Sequence, residues 1–360
     1  MSVLLVRPAA SGGLAAHVDH ELGLLAAAGH DVAEAPVRIR ERPHPTGDLR
    51  TVRTLRALLA DSADPVTLHA HGLRAGALCA LAVGPGPLRG GRRHRLVVTL
   101  HNRTVGSRRT RAVGATLLRI LARGADIVLA VSPDLADAAR RAGSRDVRHA
   151  LVPAPVPPPT AERSDTPGPA RSGTPGADTG TERPDDALEI LVIARLAPQK
   201  GLHDLLDAAA LLRGDASVRI RVAGDGPLHE ELGRRIRDEH LPVELLGRRQ
   251  DVPALLGAAD LVVSAARWEG QPVSLQEALR AGRAIVATDA GGTRWVTGAA
   301  AALVPVGDAR ALAAAITALR DPAARRTAEA ASRRRAEELP TDEDLLTQLQ
   351  EVLALGGLDW

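Results

Sequence analysis

Short runs of consecutive apolar residues alternate along this chain with longer Ala- and Leu-rich stretches of helical character. In the first half the runs are VLLV (3–6), VTLHA (66–70), LVVTL (96–100) and IVLAV (127–131). In the second half they are EILVIA (189–194), VRIRVA (218–223), VELLG (243–247), DLVVSA (260–265) and AIVAT (284–288). Strands that are apolar on both faces and separated by helices predict parallel sheets covered on both sides. Two doubly wound α/β domains follow, and in that architecture ligands sit beyond the carboxyl ends of the strands. The cleft between two such domains is the expected active site. A last stretch, 341–356, reads as an amphipathic helix.

The rhythm breaks once. Residues 155–187 are rich in Pro, Gly, Thr and Asp, cannot bury apolar surface, and read as a flexible linker. This gives an N-terminal domain over 1–154, the linker over 155–187, a C-terminal domain over 188–340 and a terminal helix over 341–360. A chain of 360 residues suits two domains of ordinary size.

Composition narrows the function. Phe and Tyr are absent, so there is no base-stacking surface, and a net charge of +3 is too mild to argue for nucleic acid. One cysteine, Cys79, excludes an intrachain disulfide and a Cys-rich zinc site, and reads as a small buried hydrophobe. The opening MSVLLVRPAA is too short an apolar run for a signal peptide, and no stretch approaches a membrane span. The expected location is the cytoplasm. Lys200 is the only lysine among 46 basic residues, which marks a position where a compact ammonium is wanted over a planar guanidinium.

Neither half contains G-x-G-x-x-G, which disfavours a pair of nicotinamide-dinucleotide domains. Instead Gly12 and Gly13 fall between the first strand and its helix, where bare backbone can approach a phosphate. The most informative segment is RWEGQPVSLQEALRAGRAIVATDAGG, residues 267–292. Pro272 and Ser274 are placed to begin a helix. Glu269 then lies in the preceding loop and Glu277 in the second helical turn. Helix-start amides over Val273 to Leu275 would face a pyrophosphate. A loop carboxylate suits sugar hydroxyls and a helical one suits a ribose diol, whereas taken alone the two are ordinary surface glutamates. Upstream, LVIARLAPQKGLHDLLDAA puts Arg195 at a strand end and Lys200 five residues on, two cations able to neutralise a diphosphate leaving group.

With the VAGDGP turn at 222–227 and the run LGRRQDVPALLGAADLVVSAA, residues 189–305 resemble the donor-binding domain of family 4 glycosyltransferases (GT4), retaining enzymes of the GT-B type. VTLHAHG around His69 and His71, VVTLHN with His101, and ADIVLAVSPDLADAARRAG are similar to the family's acceptor-side domain. The resemblance implies a GT-B fold, with two Rossmann-like domains facing a central cleft, and a nucleoside diphosphate sugar as donor. It implies that Arg195 and Lys200 bind the diphosphate and Glu277 the ribose. Glu269 would hold sugar hydroxyls, and Gly12, Gly13 and Gly224 would bring backbone to the donor. Arg248 would lie by the base, with Gln271, Pro272, Val273 and Ser274 lining the donor site. His101 would contact the transferred sugar. Catalytic roles then fall to His101, Glu269, Arg195 and Lys200. No metal or other cofactor is implied. His69 and His71, two apart on one strand face, could begin a metal site, but the sequence pattern offers no carboxylate or third histidine to complete it.

Two positions depart from the family pattern. Gln271 stands where many relatives carry an aromatic residue, and Trp295 stands where they carry Glu after the second glycine pair. These keep open a catalytically silent nucleotide-sugar binder, and a nucleotide-sugar epimerase on the same fold remains the other alternative. The acceptor, whether saccharide, lipid-linked or a small metabolite, is not encoded in a readable motif. Residues 103–123 form a basic helical stretch, ordinarily a solvated face, that could also lie on anionic lipid at the inner membrane surface.

Overall fold

The computed structural model describes residues 2–9, 13–40, 44–84, 93–104, 106–154, 187–213 and 217–355. Gly12 and nearly all of the expected linker lie outside these. The described chain forms two compact units. The first is Met1–Pro153 with Glu269–Gln271 and Pro340–Trp360, and the second is Ala154–Trp268 with Pro272–Leu339. The terminal helix thus belongs with the first unit by its contacts, as does the three-residue segment around Gly270.

In the first unit six parallel strands lie in the order β2-β1-β3-β4-β5-β6. These are β1 (Ser2–Val6), β2 (Val32–Glu34), β3 (Val66–His71), β4 (Arg95–Leu100), β5 (Ile127–Ala130) and β6 (Val147–His149). Helices α1 (Gly13–Ala27), α2 (Pro45–Asp61), α3 (Leu73–Val83), α4 (Arg108–Gly124) and α5 (Pro133–Ala142) make the crossovers. The central strand β3 is buried at all six positions, as its β-branched and apolar run requires. Cys79 sits in α3 at 0% exposure, and burial raises its thiol pKa, consistent with a small core residue.

In the second unit six parallel strands run β12-β11-β10-β7-β8-β9. They are β7 (Leu188–Ile193), β8 (Val218–Ala223), β9 (Val243–Gly247), β10 (Leu261–Ser264), β11 (Ala284–Thr288) and β12 (Ala301–Val304). Among the helices here are α6 (Leu202–Leu211), α7 (His229–Asp238), α8 (Val252–Ala258), α9 (Val273–Arg280), α10 (Thr293–Thr297), α11 (Ala309–Ala318) and α12 (Pro322–Glu337). One apolar layer joins Leu202, Leu205 and Ile316 to one sheet face through Ile190, Ile220 and Val263. The other joins Leu275 and Leu279 to Leu191, Val262 and Ile285. Helix α13 (Asp342–Val352) opens with a capping box between Thr341 and Asp344 and packs against α1 in the first unit.

All nine strands expected from the sequence are present. The three it does not announce, β2, β6 and β12, are three or four residues long, and two of them are edge strands of the first sheet.

Two glycines fix how the second unit's loops meet. Gly224 has φ +148°, and a Cβ there would stand 1.9 Å from the Ala194 carbonyl oxygen. Gly201 has φ +62°, with the Ala265 carbonyl oxygen 1.8 Å from where a Cβ would be. Any side chain must push whole loops apart. Gly224→Ala should therefore lower stability by about 2 kcal/mol or more, a fall in Tm of roughly 4–8 °C. Gly23→Ala, in α1 with nothing within 4 Å of the added methyl, should be neutral or stabilising by up to about 1 kcal/mol. Calorimetry showing equal effects for the two would contradict this account of the turn.

Candidate active site

The parallel strands β7, β8, β9 and β10 deliver four loops to one sheet edge, and backbone hydrogen bonds tie them together. Leu196 N–H donates to the Asp225 carbonyl at 3.0 Å, and Leu228 N–H returns to the Leu196 carbonyl at 3.0 Å. Gly224 N–H donates to the Gly247 carbonyl at 2.8 Å, linking the turns after β8 and β9. Arg267 N–H donates to the Gln199 carbonyl at 2.8 Å, linking the loops after β10 and β7. The Arg267 guanidinium holds the Asp204 carboxylate through Nε at 3.0 Å and a terminal nitrogen at 2.8 Å, bracing the same loop to α6.

On this frame Arg195 follows β7 and is exposed, while Lys200 closes a single 3₁₀ turn, Pro198–Lys200, before Gly201 starts α6. Gly224 lies in the adjacent turn and exposed Arg248 immediately follows β9. Pro272 is the N-cap of α9. The Leu275 and Gln276 amides both donate to the Pro272 carbonyl, at 3.1 and 3.2 Å, so the expected anion-facing set contracts. Val273 and Ser274 are the first two residues of α9, where N–H groups have no acceptor within the helix. Glu277 projects from the second turn, as the sequence spacing predicts. Burial raises its pKa, with Arg280 pulling the other way.

The remaining expected site residues lie in the first unit. Gly13 begins α1 with open space beside it. Glu269 and Gly270 fall beside the end of β4: a Cβ on Gly270 would be 2.7 Å from a Val131 methyl and 3.5 Å from the His101 carbonyl oxygen. Glu269 and His101, distant in sequence, thus come from neighbouring segments of one unit.

Gln271, expected in the donor site, meets segment 149–152 through its side chain. Its Oε1 accepts from Val152 N–H at 3.1 Å, and its Nε2 meets His149 Nε2 at 2.9 Å and the Ala150 carbonyl. Both ends of the amide are thus engaged with segment 149–152, at the end of β6.

His101 belongs to a group that sequence reasoning did not assemble. His71 Nδ1 lies 3.1 Å from His101 Nε2, and the His17 ring is 5.4 Å from that of His101. Glu21, on α1, stands 2.8 Å from His17, 3.4 Å from His69 and 3.2 Å from His71. The carboxylate and additional histidines that the pattern around His69 and His71 lacks are therefore supplied by the fold. The His17/Glu21 pair, four apart on one face of α1, was the available signal. Burial lowers the His101 pKa well below the ordinary value, reinforced by His71 and His17 and opposed by Glu21. Burial likewise lowers His69 to about 3. For Glu21 the sign is reversed: burial would raise its pKa, yet the three histidines hold it well below the ordinary value.

A separate cavity of about 480 Å³ opens in the first unit between the β2–α2 connection and α3, with Arg38, Arg40, Arg50 and Arg74 in its wall. No helix among the described residues is long and apolar enough to cross a membrane.

Residues 187–321 match the family described as Glycosyl transferases group 1, and residues 3–155 match the Glycosyl transferase 4-like domain. WcaL of Escherichia coli (strain K12), described as a glycosyltransferase of colanic acid biosynthesis, is 35% identical over 143 residues, 36% of this chain and 35% of that protein. The alpha-D-kanosaminyltransferase of Streptomyces kanamyceticus is 29% identical over 113 residues, 30% of this chain and 29% of that protein. The chain thus spans about a third of the length of the curated relatives it matches. Among solved structures, HepE of Anabaena in complex with UDP superposes with a TM-score of 0.70 at 20% identity, covering 99% of this chain and 100% of that one. Sucrose-phosphate synthase of Thermosynechococcus elongatus gives 0.73 at 20% identity, with 99% of each chain covered. By the matches to both halves and by the two six-stranded sheets, the chain belongs to the group 1 glycosyltransferases of family GT4, with the GT-B fold.

Proposed function

We propose that the protein is a glycosyltransferase that moves a hexose-type sugar from a nucleoside diphosphate donor to an acceptor hydroxyl, with retention at the anomeric carbon. The observation that carries this reading is the joining of the Arg195/Lys200 loop to the loop after β10 by the Gly201 approach and the Arg267–Gln199 hydrogen bond. Two cations and the open amides of α9 are held on one edge of one sheet, where a diphosphate can be bound. The complex of HepE with UDP supports a uridine nucleotide as the first donor to try.

In the proposed reaction the acceptor oxygen bonds to the anomeric carbon as the bond from that carbon to the diphosphate oxygen breaks, both on one face of the ring. The departing phosphate takes the acceptor's proton. Arg195 and Lys200 neutralise the charge that develops on the diphosphate, so their effect is largest in the transition state. Glu277 accepts hydrogen bonds from the ribose diol, Glu269 from sugar hydroxyls, and Arg248 lies by the base. His101 contacts the transferred sugar. No divalent ion is assigned to the diphosphate. The acceptor would be chosen in the first unit, where the arginine-walled cavity favours an anionic group. The exposed face of α4, with Arg108, Arg109 and Val113, offers a surface for anionic lipid.

UDP at about a hundred times its Kd should stabilise the protein by roughly 2.7 kcal/mol. Lys200→Ala should weaken UDP binding roughly 10- to 100-fold with the circular-dichroism spectrum unchanged. Absence of any thermal shift with UDP, GDP or TDP would remove the donor-site assignment. Retention is tested by NMR of the product anomer, and an inverted product would eliminate the proposed mechanism.

Glu277 provides a pH test. Because its pKa is raised, it protonates at higher pH than a free glutamate as pH falls from neutrality, and loses an acceptor for the ribose diol. UDP affinity of the wild type should fall over that range, whereas Glu277→Gln should bind roughly tenfold more weakly at pH 7.5 and lose this component. Titration of the nucleotide phosphate is common to both proteins, so superimposable calorimetric profiles would refute the ribose assignment.

A further inference from the structure

Three buried side-chain atoms of the first unit have no hydrogen-bond partner and converge: Glu21 Oε2, His69 Nδ1 and His71 Nε2. Their residues are 2%, 0% and 0% exposed. Glu21 Oε2 is 3.4 Å from His69 Nδ1 and 3.2 Å from His71 Nε2, close enough for ion pairing but out of line for hydrogen bonds. Orphaned polar atoms at this depth cost free energy, and so does a carboxylate with no arginine or lysine beside it.

Those separations have a second meaning. Donors about 2.0–2.1 Å from a tetrahedral ion lie about 3.3–3.4 Å from one another. We propose that Glu21 Oε2, His69 Nδ1 and His71 Nε2 form a divalent metal site, taking Zn²⁺ or a similar borderline ion, that pins α1 to β3. The three atoms lie within 4.8 Å of one another. Three protein donors leave one position of a tetrahedral ion for water.

The surrounding hydrogen bonds fit this reading atom by atom. The other nitrogen of His69, Nε2, lies 2.8 Å from Thr99 Oγ1, to which it can donate once Nδ1 holds the ion. The other nitrogen of His71, Nδ1, faces His101 Nε2 at 3.1 Å. The other carboxylate oxygen, Glu21 Oε1, is 2.8 Å from His17 Nε2. Metal-bound imidazoles regularly donate their second N–H in this way, which fixes tautomer and ring orientation. With the ion on Nε2, His71 carries its proton on Nδ1 and donates it to His101 Nε2, leaving the His101 proton on Nδ1. The competing account places a proton in the cluster in place of a metal.

Metal analysis separates the two. Tag-free full-length protein, stripped with a chelator, incubated with excess Zn²⁺ and passed through gel filtration, should retain about one ion per chain and show a higher Tm than the stripped form. Co²⁺ in place of Zn²⁺ should give visible absorption bands of tetrahedral character. Glu21→Gln and His69→Gln should each cut retained metal at least tenfold, while His203→Gln, on the surface of the second unit, should not. The wild-type measurements decide the matter even if a buried variant fails to fold. Less than about a tenth of an ion per chain with an unchanged Tm would overturn the site in favour of the protonated cluster. Equal retention by folded Glu21→Gln and His69→Gln would overturn it by placing the ion elsewhere.

Discussion

The turn at Gly224 and the turn at Gly201 are places where one loop's backbone rests against another's carbonyl oxygen, with no room for a methyl group between them. The loop that carries Arg195 and Lys200 is positioned from these two contacts. They set the loop after β7 against the turn after β8 on one side and against the loop after β10 on the other. Arg195 and Lys200 are long side chains with much rotational freedom, but they spring from a backbone fixed at both ends. Electrostatic stabilisation of a leaving diphosphate depends on charges that are in place before the reaction begins. A loop held by side-chain packing alone would relax around the ligand. One held by backbone against backbone does not.

The first unit is organised around a different constraint, a buried charge. Glu21 is 2% exposed, in a protein whose sequence is rich in arginine, and its ionisable neighbours among the described residues are histidines. A carboxylate so placed must be neutralised locally, because the desolvation penalty exceeds anything that distant surface charge can return. The histidines come from α1, β3 and the end of β4, so whichever cation balances Glu21 also fastens those three elements together. His101 sits at the outer edge of that group, and its orientation is set from beneath by His71.

How far the sequence disclosed this differs between the units. The strands were legible because parallel strands buried on both faces leave continuous apolar runs, whereas β2, β6 and β12 are short and interrupted by polar or Ala positions. Glu277 was legible because Pro272 marks a helix start and the remaining spacing is arithmetic. The availability of the α9 amides was overestimated: only the folded geometry shows the Pro272 carbonyl accepting from both Leu275 and Gln276. The Glu21 cluster was missed for a different reason. His17 and Glu21 lie some fifty positions from His69 and His71, and linear spacing carries no information on which face of α1 meets β3. Gly270 beside the His101 carbonyl is likewise a tertiary fact, since the two are far apart in sequence.

The two departures from the family pattern can be weighed by what each does in the fold. Gln271 replaces an aromatic ring with an amide, and the amide is engaged on both its oxygen and its nitrogen by segment 149–152. A ring could make none of those hydrogen bonds, so the substitution has a local structural reason. Trp295 lies in the short helix α10, and Arg335 of α12 donates to its carbonyl at 2.7 Å and to that of Val296 at 2.9 Å. The helix end is thus satisfied through the backbone of Trp295, which any residue would supply. Neither change removes Arg195, Lys200, Glu269, Glu277 or His101. On the proposed function, a silent nucleotide-sugar binder would need some loss among the groups proposed to stabilise the leaving diphosphate or hold the sugar. The departures in this chain leave those residue types in place, Gln271 having a structural role of its own at segment 149–152.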